Sequence, residues 1–220
     1  MAVDKQAFMQ LMVDQEVLCF GDFQLKSGRR SPYFFNLGRV SDGTALAELG
    51  GYYAATIEDF GCDFDMLFGP AYKGIPIAVA TALAFASRGV TKGVGFNRKE
   101  PKDHGEGGVF VGAPIAGRVV LVDDVLTAGT AILEAASLLT EAGATLAGIV
   151  VALDRQEKVD GDTTALRRIG VNLGVPVTSI ANLQDVIEYL DLNRQPDKYP
   201  ARIAASVRAY QDAYCVLRQA

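Results

Sequence analysis

One segment near the middle of the chain carries the residues best suited to chemistry. An apolar run over residues 119–122 predicts a buried strand, and the adjacent carboxylates Asp123 and Asp124 follow it directly. A short turn ending in Gly129 then leads into a helix predicted from Thr130. The free N–H groups at the start of such a helix suit a phosphate, and a glycine lets the backbone approach it closely. The paired carboxylates suit the hydroxyl groups of a sugar, or a metal ion that accompanies a diphosphate.

The alternative is an ordinary strand–turn–helix with two solvated aspartates. The combination of strand, paired carboxylates, Thr/Gly turn and helix in one register favours the phosphate site. Other phosphate-binding patterns are absent from the chain. It has no G-x-x-x-x-G-K-[ST] sequence, and the run from Gly93 to Gly95 lacks the third glycine of a dinucleotide fingerprint.

A second set of candidate residues lies in a predicted β-hairpin. Residues 20–25 and 33–36 are strand-like, and the turn between them contains Lys26. A lysine supplies a point charge for an anion, and the rings of Phe34 and Phe35 could form the wall that a planar base requires. A solvated turn with two core phenylalanines is the alternative interpretation.

Further cations lie near the ends of predicted strands. Lys73 follows the strand-like residues 66–68 and immediately precedes a helix that starts with glycine. Arg155 follows a strand predicted over residues 146–153, where an arginine can hold a carboxylate bidentately. A polar, aperiodic loop over residues 98–108 carries three more cations and the only histidine: Arg98, Lys99, Lys102 and His104. Surface lysines, a solvated loop and a surface ion pair are the corresponding alternatives.

The elements that must position these residues follow from apolar periodicity. A first helix is capped by Asp4, and its apolar positions extend to Val17 and Leu18. Continuous apolar strands separated by helices indicate an α/β fold, a parallel sheet covered on both faces. The predicted strands are residues 66–68, 94–96, 119–122, 146–153 and 175–180, and the later helices are residues 44–60, 75–86, 130–142, 183–190 and 200–219.

Bulk properties limit the classes of function. With 220 residues, half of them apolar, the chain can build one sizeable core. A net charge of -5 and a pI of about 5.0 argue against a general nucleic-acid binder. Three dispersed cysteines without a C-x-x-C pair suit a reducing compartment and provide no metal framework. The chain starts without a secretory signal, and its longest uncharged stretch, residues 74–87, is too short to span a membrane. We therefore expect a cytoplasmic protein without membrane or nucleic-acid partners.

Taken together, these motifs resemble those of the type I phosphoribosyltransferases. Residues 119–130 resemble the segment of that family that binds 5-phosphoribosyl 1-diphosphate (PRPP), and the remaining motifs narrow the resemblance to the members that act on orotate. The family's fold is a parallel sheet flanked by helices with a small N-terminal hood, here mainly residues 20–40. The whole chain, residues 1–220, would form one such domain, without the decarboxylase domain that some organisms fuse to it.

The resemblance also implies roles for individual residues. The residues implied to bind the donor, PRPP, are Lys26, Tyr72, Lys73, Arg98, Lys99, Lys102, His104, Asp123, Asp124, Val125, Leu126, Thr127, Ala128, Gly129, Thr130 and Ala131. Orotate binding falls to Phe34, Phe35, Thr127 and Arg155. The catalytic residues would be Asp123, Asp124, Lys102 and His104, with Lys102 or His104 protonating the diphosphate. Mg²⁺ would be held mainly by the diphosphate, with Asp124 as its candidate protein ligand.

Three structural features are implied as well. Residues 98–108 would be a mobile catalytic loop that closes over the diphosphate and reaches into the partner's site in a homodimer. Pro101 departs from the loops of close relatives but removes no matching functional residue. The turn Ala71-Tyr72-Lys73 is expected to contain a cis peptide bond outside any X-Pro pair.

The implied reaction transfers the 5-phosphoribosyl group from PRPP to orotate, giving orotidine 5'-monophosphate and diphosphate in de novo UMP (pyrimidine) biosynthesis. Positive charge would develop on the ribose while the diphosphate gains negative charge. An enzyme of the same fold that accepts a purine or uracil is one alternative, and Arg155 with the two hood phenylalanines favours a carboxylated pyrimidine over it. A donor-binding regulator without catalysis is another, and the acidic pI together with the cationic loop counts against it.

Overall fold

The computed structural model describes residues 3–25, 27–102, 108–126, 129–193 and 201–216, with only the main chain at residues 101 and 102. The helices are α1 (Lys5–Asp14), α2 (Gly43–Phe60), α3 (Gly74–Ser87), α4 (Thr130–Glu141), α5 (Ala165–Leu173), α6 (Leu183–Leu192) and α7 (Ala201–Tyr214). The strands are β1 (Leu18–Gln24), β2 (Arg30–Phe35), β3 (Met66–Gly69), β4 (Gly93–Lys102), β5 (Gly108–Gly112), β6 (Arg118–Val125), β7 (Thr145–Asp154), β8 (Lys158–Asp160), β9 (Thr163–Thr164) and β10 (Val177–Asn182).

Six strands form the central sheet in the order β10-β7-β6-β3-β4-β5. The first five pair in parallel, and β5 pairs antiparallel with β4 at one edge. Helices cover both faces of the sheet, so the predicted α/β class is confirmed. No helix in the described part of the chain is long and apolar enough to cross a membrane.

The strand β6 shows why its apolar run is continuous. Val120 and Val122 belong to the core on one face, together with residues of α2, α3 and α6. Val119 and Leu121 point to the other face and pack with α4 and α5. Because alternate side chains of a strand point to opposite faces, a strand covered on both sides must be apolar at every position.

The order of the strands creates a switch point between β3 and β6. From β3 the chain continues to β4 and β5 on one side, and after β6 it continues to β7 and β10 on the other. In open α/β sheets, ligands bind outside the carboxyl ends of strands at such a point. The turns that follow β3 and β6 are therefore the expected position of a ligand.

The hood contains the predicted hairpin. Strands β1 and β2 pair antiparallel, with Phe20 opposite Tyr33. The predicted cap of α1 is confirmed, since Asp4 accepts a hydrogen bond of 3.0 Å from the N–H of Ala7. The extension of that helix to Val17 and Leu18 is wrong. The helix ends at Asp14, and Glu16 adopts a φ of 53°. Leu18 already pairs within β1, so it is apolar because it belongs to a buried strand position and not to the helix.

The aperiodic loop predicted from Arg98 is shorter than expected. Strand β4 continues to Lys102 and pairs with β5, with Asn97 opposite Phe110 and Lys102 opposite Gly108. The largely polar residues 97–102 hid the end of β4, because no apolar alternation marks them. The short apolar run of β5 was also not predicted as a strand. Residues 103–107 lie outside the described part of the chain. Four other elements were also not predicted, namely β8, β9, α5 and a short 3₁₀ helix at Leu37–Arg39.

Candidate active site

Asp123 and Asp124 lie near the carboxyl end of β6, as predicted. The N–H of Asp124 donates to Oδ1 of Asp123 at 2.9 Å, and the N–H of Val125 donates to Oδ1 of Asp124 at 2.7 Å. Burial raises the pKa of Asp123 to about 7, with the neighbouring Asp124 carboxylate as the second cause. The hydroxyl of the buried Tyr53, on α2, donates 2.6 Å to the main-chain oxygen of Asp123. Main-chain N–H groups thus orient both carboxylates, and α2 holds the main chain of Asp123.

The turn after β3 brings a lysine to these carboxylates. Nζ of Lys73 lies 2.5 Å from Oδ2 of Asp124, although the two residues are 51 positions apart. The turn is tight, since a Cβ on Gly69 would lie 2.0 Å from the carbonyl oxygen of Gly74. The peptide bond between Ala71 and Tyr72 is cis, which confirms the prediction for this turn.

The turn after β6 leads into α4 through Gly129. This residue is the N-cap of the helix, has a φ of 76°, and makes no side-chain cap hydrogen bond. A Cβ at Gly129 would lie 2.3 Å from Cδ1 of Ile169, on α5. Thr130 begins the helix and Ala131 is exposed beside it, whereas the side chain of Leu126 is buried in the core. Among the described residues, no side chain therefore caps the main-chain N–H groups in the first turn of α4.

The part of β4 that carries Arg98 and Lys99 lies beside the turn after β3. Nζ of Lys99 is 4.9 Å from the centroid of the exposed Tyr72 ring. The main-chain N–H of Ala71 donates 3.2 Å to Oδ1 of Asn97, and Nη1 of Arg98 donates 3.3 Å to the carbonyl oxygen of Gly108. Strand β4 therefore holds Arg98 and Lys99 next to the turn that carries Lys73.

Arg155 lies next along the same edge, immediately after β7. Its side chain is largely buried, and its Nε donates 2.7 Å to Oε1 of Glu157. Its Nη2 donates 3.3 Å to Oγ of Ser31, and its Cζ lies 4.3 Å from the centroid of the Tyr33 ring. Burial acts to lower the pKa of Arg155, but Tyr33 and Glu157 together raise it above its usual value. The hood strand β2 therefore covers this arginine.

The structure separates the two phenylalanines that were predicted to line one pocket. Phe34 is 39% exposed and lies 5.5 Å from the Phe23 ring, whereas Phe35 is 7% exposed and packs in the core. Because successive side chains of a strand point to opposite faces, the two rings cannot line the same surface. Only the Phe34 ring is available to a ligand, which corrects the expectation for Phe35.

Five of the predicted site residues are not placed in full. Lys26, His104, Thr127 and Ala128 lie outside the described residues, and only the main chain of Lys102 is described. Sequence reasoning missed six contacting residues: Tyr53, Asn97, Ser31, Tyr33, Glu157 and Tyr210, whose hydroxyl donates 2.6 Å to Oε1 of Glu157. Tyr53 lies within the helix predicted over residues 44–60, and Asn97 is the first polar residue after a predicted strand. Neither position signals which main-chain group it holds.

A turn that leads into a helix at a sheet switch point, paired carboxylates and a lysine from the neighbouring turn fit the class of type I phosphoribosyltransferases. The family described as phosphoribosyl transferase domain matches residues 40–169. The curated orotate phosphoribosyltransferase of Cellvibrio japonicus is 51% identical, over 95% of this chain and 96% of that protein.

Two solved structures agree with this class. The orotate phosphoribosyltransferase of Francisella tularensis has a TM-score of 0.83 and 39% identity, covering 95% of this chain and 99% of that one. The UMP synthase of Leishmania donovani has a TM-score of 0.74 and 27% identity, covering 96% of this chain and 42% of that one. The chain belongs to the orotate phosphoribosyltransferase family. The resemblance and the predicted enzyme class, a pentosyltransferase, are therefore confirmed.

Proposed function

We propose that the turns after β3 and β6 bind PRPP, and that this enzyme transfers its 5-phosphoribosyl group to orotate. The products are orotidine 5'-monophosphate and diphosphate, in pyrimidine biosynthesis. This reaction is the one predicted from the motifs, and it agrees with the family to which the chain belongs. The observation that carries the proposal is the contact of Lys73 with Asp124 across the switch point.

The residues on either side of that contact have complementary tasks. Asp123 and Asp124 are acceptors suited to the ribose hydroxyls, and the N–H groups at the start of α4 suit the 5'-phosphate. Lys73 is half exposed, so it can leave Asp124 for the diphosphate, which carries more negative charge. Tyr72 and Lys99 lie beside Lys73 and would contact the same diphosphate.

The residues fit a magnesium ion that brings most of its ligands with the substrate. Among the described residues, no group of three His, Cys, Asp or Glu side chains could hold a metal. Asp124, with its neighbour Asp123, offers the hard oxygen ligands that Mg²⁺ prefers, while diphosphate and water would supply the remainder. When bound, the ion would neutralise charge on the diphosphate.

The transition state places opposite charges on the two reacting groups. Carboxylates beside the ribose stabilise the positive charge that develops there, and the cations of residues 98–108 stabilise the departing diphosphate. We assign protonation of the diphosphate to Lys102 or His104. Closure of this segment would exclude the water that would otherwise hydrolyse the donor. Arg155 would bind the orotate carboxylate, Phe34 would contact the pyrimidine ring, and Phe35 would contribute only through its main chain.

A homodimer is supported by one face of α3. Pro76, Val79, Leu83 and Ala86 recur at helical spacing on this helix, and all four are exposed. The opposite face packs so closely on α2 that a Cβ at Gly50 would lie 2.3 Å from the carbonyl oxygen of Ala80. A helix that is apolar all round is normally buried, so a second copy of the chain is the proposed cover. Because α3 starts at the Lys73 turn, this interface would bring a neighbour's loop close to the site.

Residues 1–220 are proposed to form one phosphoribosyltransferase domain, with the hood mainly at residues 20–40 and the catalytic loop at residues 98–108. We also place the enzyme in the cytoplasm. The free thiols of Cys19, Cys62 and Cys215 support that location, because unpaired cysteines suit a reducing compartment.

The test of this proposal is an ultraviolet assay of orotate loss in the presence of PRPP and magnesium. We expect turnover by the wild type and none by the Asp123→Asn/Asp124→Asn double variant, whose circular dichroism should be unchanged. Absence of wild-type turnover would contradict the function, and near-normal turnover by the folded double variant would contradict the site.

A further inference from the structure

A carboxylate without a role in the proposed reaction lies against the orotate-binding arginine. Glu157 follows Arg155 by two positions and accepts 2.7 Å from its Nε. The residue between them, Gln156, has a φ of 55°, a left-handed conformation that non-glycine residues rarely adopt. Its N–H donates to Oδ1 of Asp154 and its carbonyl oxygen accepts from the N–H of Val216, both bonds being 2.8 to 2.9 Å. The backbone here is thus held in the form that brings Arg155 and Glu157 together.

Two distant segments hold Glu157 in turn. The hydroxyl of Tyr210, on α7, donates 2.6 Å to its Oε1, and Nη1 of Arg29, in the hood, lies 3.6 Å from its Oε2. Burial and the hydrogen bond to Glu157 raise the pKa of Tyr210 to about 12, so this phenol keeps its proton at neutral pH. Two guanidinium groups therefore share one carboxylate, which leaves a net positive charge for a substrate anion.

The remaining contacts orient the plane of the Arg155 guanidinium. The ring of Tyr33 lies under it, and Ser31 accepts a hydrogen bond from Nη2. The Tyr210 hydroxyl is a further hydrogen-bonding neighbour of this guanidinium. Among the described residues, the bonds with ordinary hydrogen-bond geometry start from Nε and Nη2, and none starts from the other terminal nitrogen, Nη1. With Nε, Nη2 and one face occupied, Nη1 is the nitrogen that remains for a substrate carboxylate.

We propose that Glu157 and Tyr210 are positioning residues for orotate recognition. They hold Arg155 in the rotamer that presents Nη1, so the C-terminal helix α7 contributes to substrate specificity without touching the substrate. This inference depends on the proposed role of Arg155. A buried ion pair can also serve stability alone, because an arginine left unpaired in the interior is costly. A purely stabilising pair would affect both substrates alike, whereas a positioning pair acts on orotate.

Two variants disturb the position of the Glu157 carboxylate without removing its charge. Tyr210→Phe removes the hydroxyl that fixes Glu157, and Glu157→Asp keeps the charge but withdraws the carboxylate by one methylene group. We expect each to raise the KM for orotate about five- to tenfold, since a hydrogen bond to a charged group is weakened or lost, with the KM for PRPP within about twofold of wild type. Tyr214→Phe, on the same helix, also removes a hydroxyl and should leave both constants unchanged.

A double-mutant cycle with Arg155→Ala completes the test. Arg155→Ala alone should raise the KM for orotate about 30-fold, as expected for loss of a charge-assisted contact. In that background, Tyr210→Phe should have no further effect, because the residue that it positions is gone. Equal increases for both substrates, an undiminished effect of Tyr210→Phe in the Arg155→Ala background, or an unchanged KM for orotate in both single variants would overturn the inference. If Arg155→Ala leaves the KM for orotate unchanged, the proposed role of Arg155 itself is wrong.

Discussion

The hydroxyl of Tyr53 donates a 2.6 Å hydrogen bond to the main-chain oxygen of Asp123. Tyr53 is fully buried on α2, and Asp123 is a proposed catalytic carboxylate near the end of β6. The contact connects the core beneath one face of the sheet to the residue that is proposed to face the ribose. It also satisfies a carbonyl oxygen near the point where the strand gives way to the phosphate turn.

Tyr53→Phe should therefore affect both stability and catalysis. Loss of this bond should lower the free energy of unfolding by about 1 kcal/mol and reduce kcat, because the main chain of Asp123 is less firmly held. Urea denaturation and steady-state kinetics measure the two effects. Tyr52→Phe, at the neighbouring and only partly buried position, is the matched control. An unchanged kcat in Tyr53→Phe would show that the bond stabilises the fold only.

The raised pKa of Asp123 predicts a pH-dependent stability of the ligand-free enzyme. Its pKa is about 7 in the folded protein, because of burial and the nearby Asp124, and close to 3.8 when unfolded. The folded state therefore holds a proton that the unfolded state releases, so this group's contribution to stability is full below about pH 4 and is lost as pH rises towards 7.

Asp123→Asn should remove this slope. The unfolding free energy of the variant minus that of the wild type should rise between pH 4 and pH 7 and then level off, as followed by urea denaturation without ligand. Lys73 and Asp124 face the same carboxyl group, so Lys73→Met is a useful comparison. Its loss should raise the pKa of Asp123 further and move the plateau to higher pH. A difference that does not vary with pH would mean that Asp123 titrates normally.

The apolar face of α3 predicts where the dimer can be broken. Leu83 is 65% exposed on this face, and Leu83→Glu would bury a charge in the proposed interface. We expect a shift from dimer to monomer in sedimentation analysis, with a fall in activity if the loop acts across the interface. Val171→Glu introduces the same charge at a position 75% exposed on α5 and should remain dimeric. Dimers of undiminished stability in Leu83→Glu would place the interface elsewhere.

Sharing of the loop between subunits has its own test. Lys102→Ala damages the loop that a subunit donates, and Asp124→Asn damages the site that it receives. Heterodimers of these two inactive variants would contain one site with both lesions and one with neither. After equal amounts exchange subunits, activity should return to about a quarter of wild type, because half of the random pairs are heterodimers with one intact site. If exchange is verified by mass and activity stays absent, each site is built from a single chain.

Local sequence determined the elements of the phosphate turn. The apolar run, the paired aspartates and Gly129 lie within a dozen residues, so strand, turn and helix could be predicted from neighbouring side chains alone. The cap at Asp4 and the hairpin of the hood follow in the same way. These features are short-range, and their causes are the backbone preferences and burial pattern of consecutive residues.

Tertiary structure decided which of these residues meet. Lys73 reaches Asp124 only because β3 and β6 are neighbours in the sheet, and no local pattern specifies that strand order. The contacts of Arg155 need two distant segments in addition to its own, since Ser31 and Tyr33 come from the hood and Tyr210, which binds the nearby Glu157, comes from the last helix. Strand alternation separated Phe34 from Phe35, and pairing with β5 converted part of a predicted loop into β4. Such contacts depend on long-range packing and hydrogen bonding, which the sequence of any one segment does not contain.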